Sequence, residues 1–253
     1  MSEIAIVTGA SSGLGREFVG AIVETYPKIN EIWLIARRKD LLESLAKSFP
    51  TKKFKLLSLD LTQEENYAIF KRELEINRPN IKVLVNNAGL VASNSFSKIS
   101  LERQEAMIKL NALAPMVLTH MSLPFMKKGG QIINICSVAG FAPTPNMLTY
   151  SSTKAFLFNF SKGLHAELKD KGINVLAMSP GNMKTELFAS PEMPKGKSIV
   201  NLLPFLDMQK ISRRALQLSA KGKMEYTPHF VYKSYHALAK LLPNKIIMKF
   251  SKV

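Results

Sequence analysis

Tyr150 and Lys154, four residues apart, are the first pair in this chain whose types and spacing could do chemistry. On a helix, positions i and i+4 share a face, so the phenol and the ammonium would stand together. An unperturbed tyrosine, with a pKa of ~10, exchanges protons with a substrate oxygen sluggishly near neutrality, and a neighbouring cation favours its phenolate. The spacing alone decides little, because Tyr67 and Lys71 repeat it. Ser137, ending the strand before the first pair, and Asn111, within the helix before that strand, separate the two. Phe54 stands where the second pair would need its serine. Tyr67 and Lys71 are therefore read as structural, and Ser137 as the hydroxyl that holds and polarises a substrate oxygen.

A second constellation lies near the N-terminus. The run Thr8-Gly9-Ala10-Ser11-Ser12-Gly13-Leu14-Gly15 falls between an expected strand and an expected helix. Glycines there let backbone amides approach a pyrophosphate at the helix N-terminus. The spacing is G-x-x-x-G-x-G rather than the G-x-G-x-x-G of most dinucleotide folds. No zinc-like spacing joins His120, His165, His229 and His236, so no metal is expected.

The elements that must position these residues alternate in type. Short β-rich runs near 4–8, 31–36, 53–58, 82–86, 130–136 and 173–179 are separated by helical patterns near 13–26, 40–48, 63–77, 101–127 and 148–171. Such alternation predicts an α/β fold, a doubly wound parallel sheet between two helix layers. Thr62 and Glu65 offer a capping box for the third helix, and Asp40 a cap for the second. Pro115 and Pro124 should kink or end the fourth. Beyond Ser179 the pattern loosens. Residues 182–205, with Met183, Leu187, Phe188, Met193, Leu202, Leu203 and Phe205, read as a lid. A helix near 208–220 and a strand near 224–227 should complete the sheet, followed by a basic tail over 229–253.

These motifs, in this order, are similar to those of the short-chain dehydrogenase/reductase family. The resemblance runs over roughly residues 3–190 and includes the glycine turn, Asp60-Leu61, Asn86-Asn87-Ala88-Gly89, Asn111, Ser137, Tyr150, Lys154 and Pro180-Gly181 with Thr185. It implies a single Rossmann-type domain and an oxidoreductase in which Tyr150 is the acid/base. Lys154 would contact the nicotinamide ribose, Ser137 orient the carbonyl, and Asn111 support a water relay. For the cofactor it implies contacts from Gly9, Ser11, Ser12, Gly13, Leu14 and Gly15, then from Asp60, Leu61, Asn87, Ala88 and Gly89. Tyr150, Lys154, Pro180, Gly181, Met183 and Thr185 would complete the site. It also implies pairing through the helices at 101–127 and 148–171. Because the basic tail departs from the commonest family pattern, a homodimer is expected rather than a tetramer.

The end of the second strand bears on which nicotinamide is used. An acidic residue about 20 positions past the glycine turn would bind a ribose 2′-hydroxyl, whereas arginine accommodates a 2′-phosphate. Ala36 replaces the acid and Arg37 and Arg38 follow, so NADP(H) is expected over NAD(H). The apolar lid and the Met147-Leu148 approach to Tyr150 favour a bulky hydrophobic carbonyl or alcohol, such as a hydroxysteroid or bile-acid-like ketone. Ser137, Met147 and Tyr150 would be its contacts. Reduction of a 3-oxoacyl thioester is the enzymatic alternative, and a non-catalytic dinucleotide-binding regulator the alternative of another class.

Composition narrows the setting. With 253 residues, 46% of them hydrophobic, one sizeable core can form. The single cysteine, Cys136, allows no internal disulfide and reads as a small buried residue at a strand end. The chain begins on the apolar run Ile4 to Val7 without the basic and apolar regions of a secretory signal, and no stretch of ~18–20 uncharged apolar residues occurs, so a cytoplasmic protein is expected. The net charge of +16 is uneven, with 12 Lys/Arg against three acidic residues from Ser190 onward. A solvated basic face accounts for it most simply; among anionic partners a membrane surface, a carrier protein or an acidic substrate precede nucleic acid, for which no recognition motif is present.

Overall fold

The computed structural model describes residues 2–189 and 203–251, and side chains as far as residue 248. Seven strands form one sheet: β1 (Glu3–Thr8), β2 (Glu31–Ala36), β3 (Lys53–Ser58), β4 (Asn80–Asn86), β5 (Gln131–Ile135), β6 (Asn174–Met178) and β7 (Glu225–Tyr226). Every neighbouring pair is parallel, in the order β3-β2-β1-β4-β5-β6-β7. Strand order reverses between β1 and β4. In an open α/β sheet a ligand crevice forms at such a reversal, beyond the strands' carboxyl ends.

Because side chains alternate across a strand, each strand feeds both helix layers. Ala5 and Val7 of β1 pack with Ile32, Leu34, Val83, Val85, Ile133, Ile135, Leu176 and Met178 against α1 (Gly13–Thr25), α2 (Lys39–Lys47) and the helix Met208–Ala220. Ile4 and Ile6 turn the other way. With Trp33, Ile81, Leu84, Ile132 and Val175 they meet α3 (Glu65–Asn77), α5 (Ala114–Ser122) and α6 (Leu148–Leu168). This is the expected three-layer architecture. Among the described residues the other α-helices, in chain order, are α4 (Leu101–Ile108), α7 (Met208–Ala220), α8 (Phe230–Leu241) and α9 (Asn244–Ser251).

The expected fourth helix, 101–127, is broken as its prolines require. α4 gives way to a π-helical turn over Lys109–Leu113, then α5, then a 3₁₀ turn over Leu123–Phe125. Pro115 has no amide hydrogen to give the Asn111 carbonyl four residues before it, and the π turn widens the helix where that bond is lost. Both proposed caps are corrected. Asp60, not Glu65, engages Thr62, whose amide and hydroxyl both donate to Asp60 Oδ1 at 2.9 and 2.8 Å. α3 consequently begins two residues later than expected, at Glu65, with Glu64 at its cap. Arg38 occupies the cap of α2, and Asp40 lies inside its first turn, where a carboxylate complements the helix dipole.

Candidate active site

The glycine turn joins β1 to α1. Gly9 and Gly13 have φ values of 65° and 52°, in the left-handed region that glycine enters without strain. Gly15 faces the turn itself: a Cβ there would lie 2.2 Å from the Gly9 carbonyl oxygen. Its absent side chain allows helix and strand to close together, and Gly15 stands behind the cleft wall rather than in it. The turn is braced from β4. Thr8 Oγ1 accepts hydrogen bonds from the amides of Asn87 and Ala88 at 2.9 and 3.0 Å, and Asn87 Nδ2 donates to the Thr8 carbonyl at 3.0 Å. Asn86 points away, into the helix layer, where its Nδ2 donates to Asn134 Oδ1 and Thr119 Oγ1.

At the other end, β5 runs through buried Cys136 to Ser137, which caps the 3₁₀ turn Val138–Phe141 by accepting from the Ala139 amide at 3.2 Å. That turn rests on α6. A Cβ on Gly140 would lie 2.7 Å from the Lys154 carbonyl carbon, so Gly140 sets how near Ser137 comes to Tyr150 and Lys154. Lys154 is 4% exposed; its Nζ donates to the Ile135 carbonyl at 2.8 Å and lies 5.8 Å from the centre of the Tyr150 ring. Burial pulls its pKa down to about 8. Burial pushes the Tyr150 phenol up, against an opposing hydrogen bond with Ser137. Desolvation thus dominates the phenol, while one N–H of the Lys154 ammonium is directed at the Ile135 carbonyl. Burial likewise pushes the Cys136 thiol up to about 12.

Asn111 is fully buried. Its Oδ1 accepts from the Leu90 amide at 2.8 Å, while its Nδ2 donates to the Leu90 carbonyl at 2.8 Å and to Thr153 Oγ1 at 3.2 Å. The side chain therefore pins the loop after β4 to α6. Gly89 marks where the groups converge: its Cβ would meet Asn111 Oδ1 at 3.3 Å and Lys154 Nζ at 3.6 Å. The other Tyr-x-x-x-Lys pair is structural, as expected. Tyr67 Oη donates to the Leu61 carbonyl at 2.7 Å, and Lys71 pairs with Glu75 at the surface.

Both constellations open into one cleft of about 660 Å³. It is lined by Gly9, Ser11, Ser12, Gly13 and Leu14, by Arg37, Arg38, Asp60 and Leu61, and by Asn87, Ala88 and Gly89. Ser137, Met147, Tyr150 and Lys154 line its far part, with Pro180, Gly181, Met183 and Thr185. Of the expected site residues only Gly15 and Asn111 lie outside the lining. Leu148 does not approach Tyr150; it is 47% exposed on the outer side of α6. From the expected lid, Leu187, Phe188 and Leu203 reach the cleft, whereas Met193 and Leu202 lie outside the described residues.

Two contributions were not legible in the motifs. Arg38 Nη2 lies 2.7 Å from Glu186 Oε2, and Ser12 Oγ donates to the same oxygen at 3.0 Å, so an anion is held beside the glycine turn. Arg37 makes only a 3.9 Å approach to Asp60. From the C-terminal region, Val231, Tyr232 and Tyr235 of α8 also form cleft wall. Tyr232 Oη accepts from the Asn182 amide at 3.0 Å and donates to the Pro204 carbonyl at 2.7 Å, tying together two points that flank the lid.

Residues 3–194 match the family model described as short chain dehydrogenase. The chain belongs to the short-chain dehydrogenase family. Among curated proteins, this short-chain dehydrogenase is 32% identical over 190 residues to an uncharacterized oxidoreductase of Staphylococcus saprophyticus, covering 73% of this chain and 80% of that protein. An uncharacterized oxidoreductase of Staphylococcus aureus strain N315 is 29% identical over 190 residues, 74% and 81% of the two chains. Among solved structures, a short-chain dehydrogenase from Sphingobium yanoikuyae in complex with NADPH superimposes with a TM-score of 0.79 at 28% identity, covering 98% and 96% of the two chains. A bulky-bulky ketone specific alcohol dehydrogenase from Comamonas testosteroni gives 0.76 at 26% identity, covering 97% and 93%. The curated matches thus leave about a quarter of this family member unaccounted for, while the structural matches span nearly all of it.

Proposed function

We propose that this oxidoreductase uses NADP(H) to interconvert the carbonyl and secondary alcohol of a bulky apolar substrate. The observation that carries the reading is the single cleft joining an anion-holding Arg38 and Ser12 to Tyr150, Ser137 and Lys154. The residues present fit a dinucleotide. Left-handed Gly9 and Gly13 open the turn toward the cleft, and the Arg38 guanidinium already holds a carboxylate where a 2′-phosphate would be recognised. Gly9, Ser11, Ser12, Gly13 and Leu14 would hold the phosphates and adenosine end, with Asp60, Leu61, Asn87 and Ala88; Lys154, Pro180, Gly181, Met183 and Thr185 would hold the other end. When bound, the nicotinamide supplies or accepts a hydride.

The chain's own groups handle the oxygen. The Tyr150 phenol is placed to give its proton to a substrate oxygen on reduction and to take it back on oxidation; burial pushes its pKa up, so the transfer depends on charge supplied around it. Ser137 fixes and polarises that oxygen beside it. Lys154, with a pKa of about 8, is still largely charged at pH 7 and stabilises the negative charge left on the phenol after transfer. Met147, Leu187, Phe188 and Leu203 supply apolar wall for the rest of the substrate. The similar Comamonas enzyme is named for its specificity toward bulky-bulky ketones, which supports the same choice.

A homodimer fits the outer face of α4 to α6, where Ile108, Met116, Leu148 and Phe156 line a second, almost wholly apolar groove with Phe96. Sedimentation of wild type and Phe156→Glu would check it, the variant becoming monomeric. The catalytic reading is tested by following NADPH and NADH oxidation against keto-steroids, aromatic ketones and a 3-oxoacyl thioester. Faster turnover of a bulky free ketone with NADPH supports it. Preference for the thioester would make the chain an acyl-thioester reductase, and tight NADPH binding without turnover on the whole panel would make it a dinucleotide-binding regulator.

A further inference from the structure

The two C-terminal helices have differently constructed sides. The inner side of α8 is anchored: Tyr232 is 1% exposed, its ring so close to Gly181 that a Cβ there would lie 2.0 Å away, and His236 stacks on Phe141 at 3.9 Å. On the outer side, among the described residues, the one ring contact is that of Phe230 with the adjacent His229 at 4.8 Å. Phe230, Leu238 and Leu241 are 72%, 49% and 80% exposed and recur at helical spacing, so they form one apolar stripe. Leu242 and Ile246 extend it across the turn into α9. Lys233 and Lys240 flank the stripe along α8, and Lys245 lies at the start of α9, all three exposed. After Glu225 the sequence contains five lysines and no acidic residue.

From this arrangement we infer that the outer side of α8 and α9 docks on an anionic lipid bilayer. An apolar stripe bordered by lysines on a helix that is too polar to cross a membrane is the pattern of an interfacial helix, with the stripe among the acyl chains and the ammonium groups at the phosphates. The alternative occupants match less well. A second copy would bring lysine against lysine without a carboxylate to pair either, and an acidic protein would satisfy the charge while leaving the protruding phenylalanine and leucines unexplained. Among the described residues no helix is long and apolar enough to span a membrane, so contact would be peripheral.

The docking side backs directly onto the cleft. Val231, Tyr232 and Tyr235 of the same helix are cleft wall, so lipid would lie about one helix diameter, ~10 Å, from the space proposed for substrate. An apolar ketone dissolved in the bilayer would then be concentrated close to the cleft. This last step rests on the oxidoreductase reading; the docking itself does not.

Full-length protein would be sedimented with vesicles of phosphatidylcholine alone and with about one third phosphatidylserine, at low and high salt. Binding to the anionic vesicles at low salt, at least tenfold weaker to neutral ones, is expected. Replacing Lys233, Lys240 and Lys245 together by Gln should weaken it about 100-fold, roughly fivefold for each lysine. Leu238→Ser with Leu241→Ser should also release the protein although charge is unchanged, and unfolding midpoints would establish that both variants fold. Absence of binding to anionic vesicles at low salt, or binding indifferent to either variant, overturns the inference. So does a vesicle-free change of sedimentation coefficient in the leucine variant, which would assign the stripe to a second copy. No turnover is measured, so the result stands or falls apart from the catalytic proposal.

Discussion

Replacing Lys154 by Met should make the protein's stability relative to wild type depend on pH, in a direction fixed by the burial of the amine. Folded, Lys154 titrates at about pH 8; unfolded, it titrates near its ordinary 10.5. Between those values the unfolded chain binds more protons, so wild-type stability rises with pH there. Below pH 8 both states are protonated and the penalty of burying the charge is fully present. The gap between the two pKa values corresponds to ~3 kcal/mol at pH 7 and, through the same linkage, to ~1 kcal/mol at pH 9.5. Met removes this penalty together with the 2.8 Å bond to the Ile135 carbonyl, whose loss costs ~1–3 kcal/mol at either pH. The stability of Lys154→Met minus that of wild type should therefore fall by ~2 kcal/mol between pH 7 and pH 9.5. Urea unfolding of both proteins at the two pH values, without cofactor, measures this difference while other titrating groups cancel. A difference that is the same at both pH values would refute the claim that the amine is held desolvated at the cost of stability.

The remaining predictions concern the cofactor end and the second tyrosine. Arg38→Leu should weaken NADPH binding about tenfold or more, the worth of a charge-assisted contact, and leave NADH nearly unchanged; titration by fluorescence would check both. Glu186→Gln should tighten NADPH by at most about fivefold, because the Arg38–Glu186 pair is largely exposed and such pairs are worth ~1 kcal/mol or less. Weaker NADPH binding by that variant would show that Glu186 supports the site rather than competing for Arg38. Tyr67→Phe should leave turnover intact and lower stability by ~1 kcal/mol, through the lost hydrogen bond to the Leu61 carbonyl.

Much of the fold and site could be read from local pattern because local physics sets it. The strand–glycine turn–helix unit, Ser137 at a strand end and the Tyr150–Lys154 spacing each depend on neighbours within a few residues. Pro115 announced the break in the fourth helix for the same reason. What stayed hidden depends on distant contacts. Glu186 meets Arg38 across 148 residues, and Tyr232 meets Asn182 across 50. The Thr62–Glu65 pair looks like a cap, but Asp60 takes the Thr62 hydroxyl first, a competition between two short side chains that spacing does not decide. Spacing also places Lys154 near Tyr150 without showing that the phenol is buried or that one N–H of the ammonium is turned to the Ile135 carbonyl.

The central claim, that Tyr150 is the proton donor in an NADP(H)-dependent carbonyl reduction, is most directly tested with Tyr150→Phe. The variant removes one hydroxyl and keeps the ring that fills the cleft wall. NADPH affinity should stay within about twofold of wild type, while turnover of the best ketone substrate should fall by about 10²–10⁴, the worth of a positioned general acid. Wild-type turnover in the variant, with NADPH still bound, would contradict the account and move the chemistry to another group.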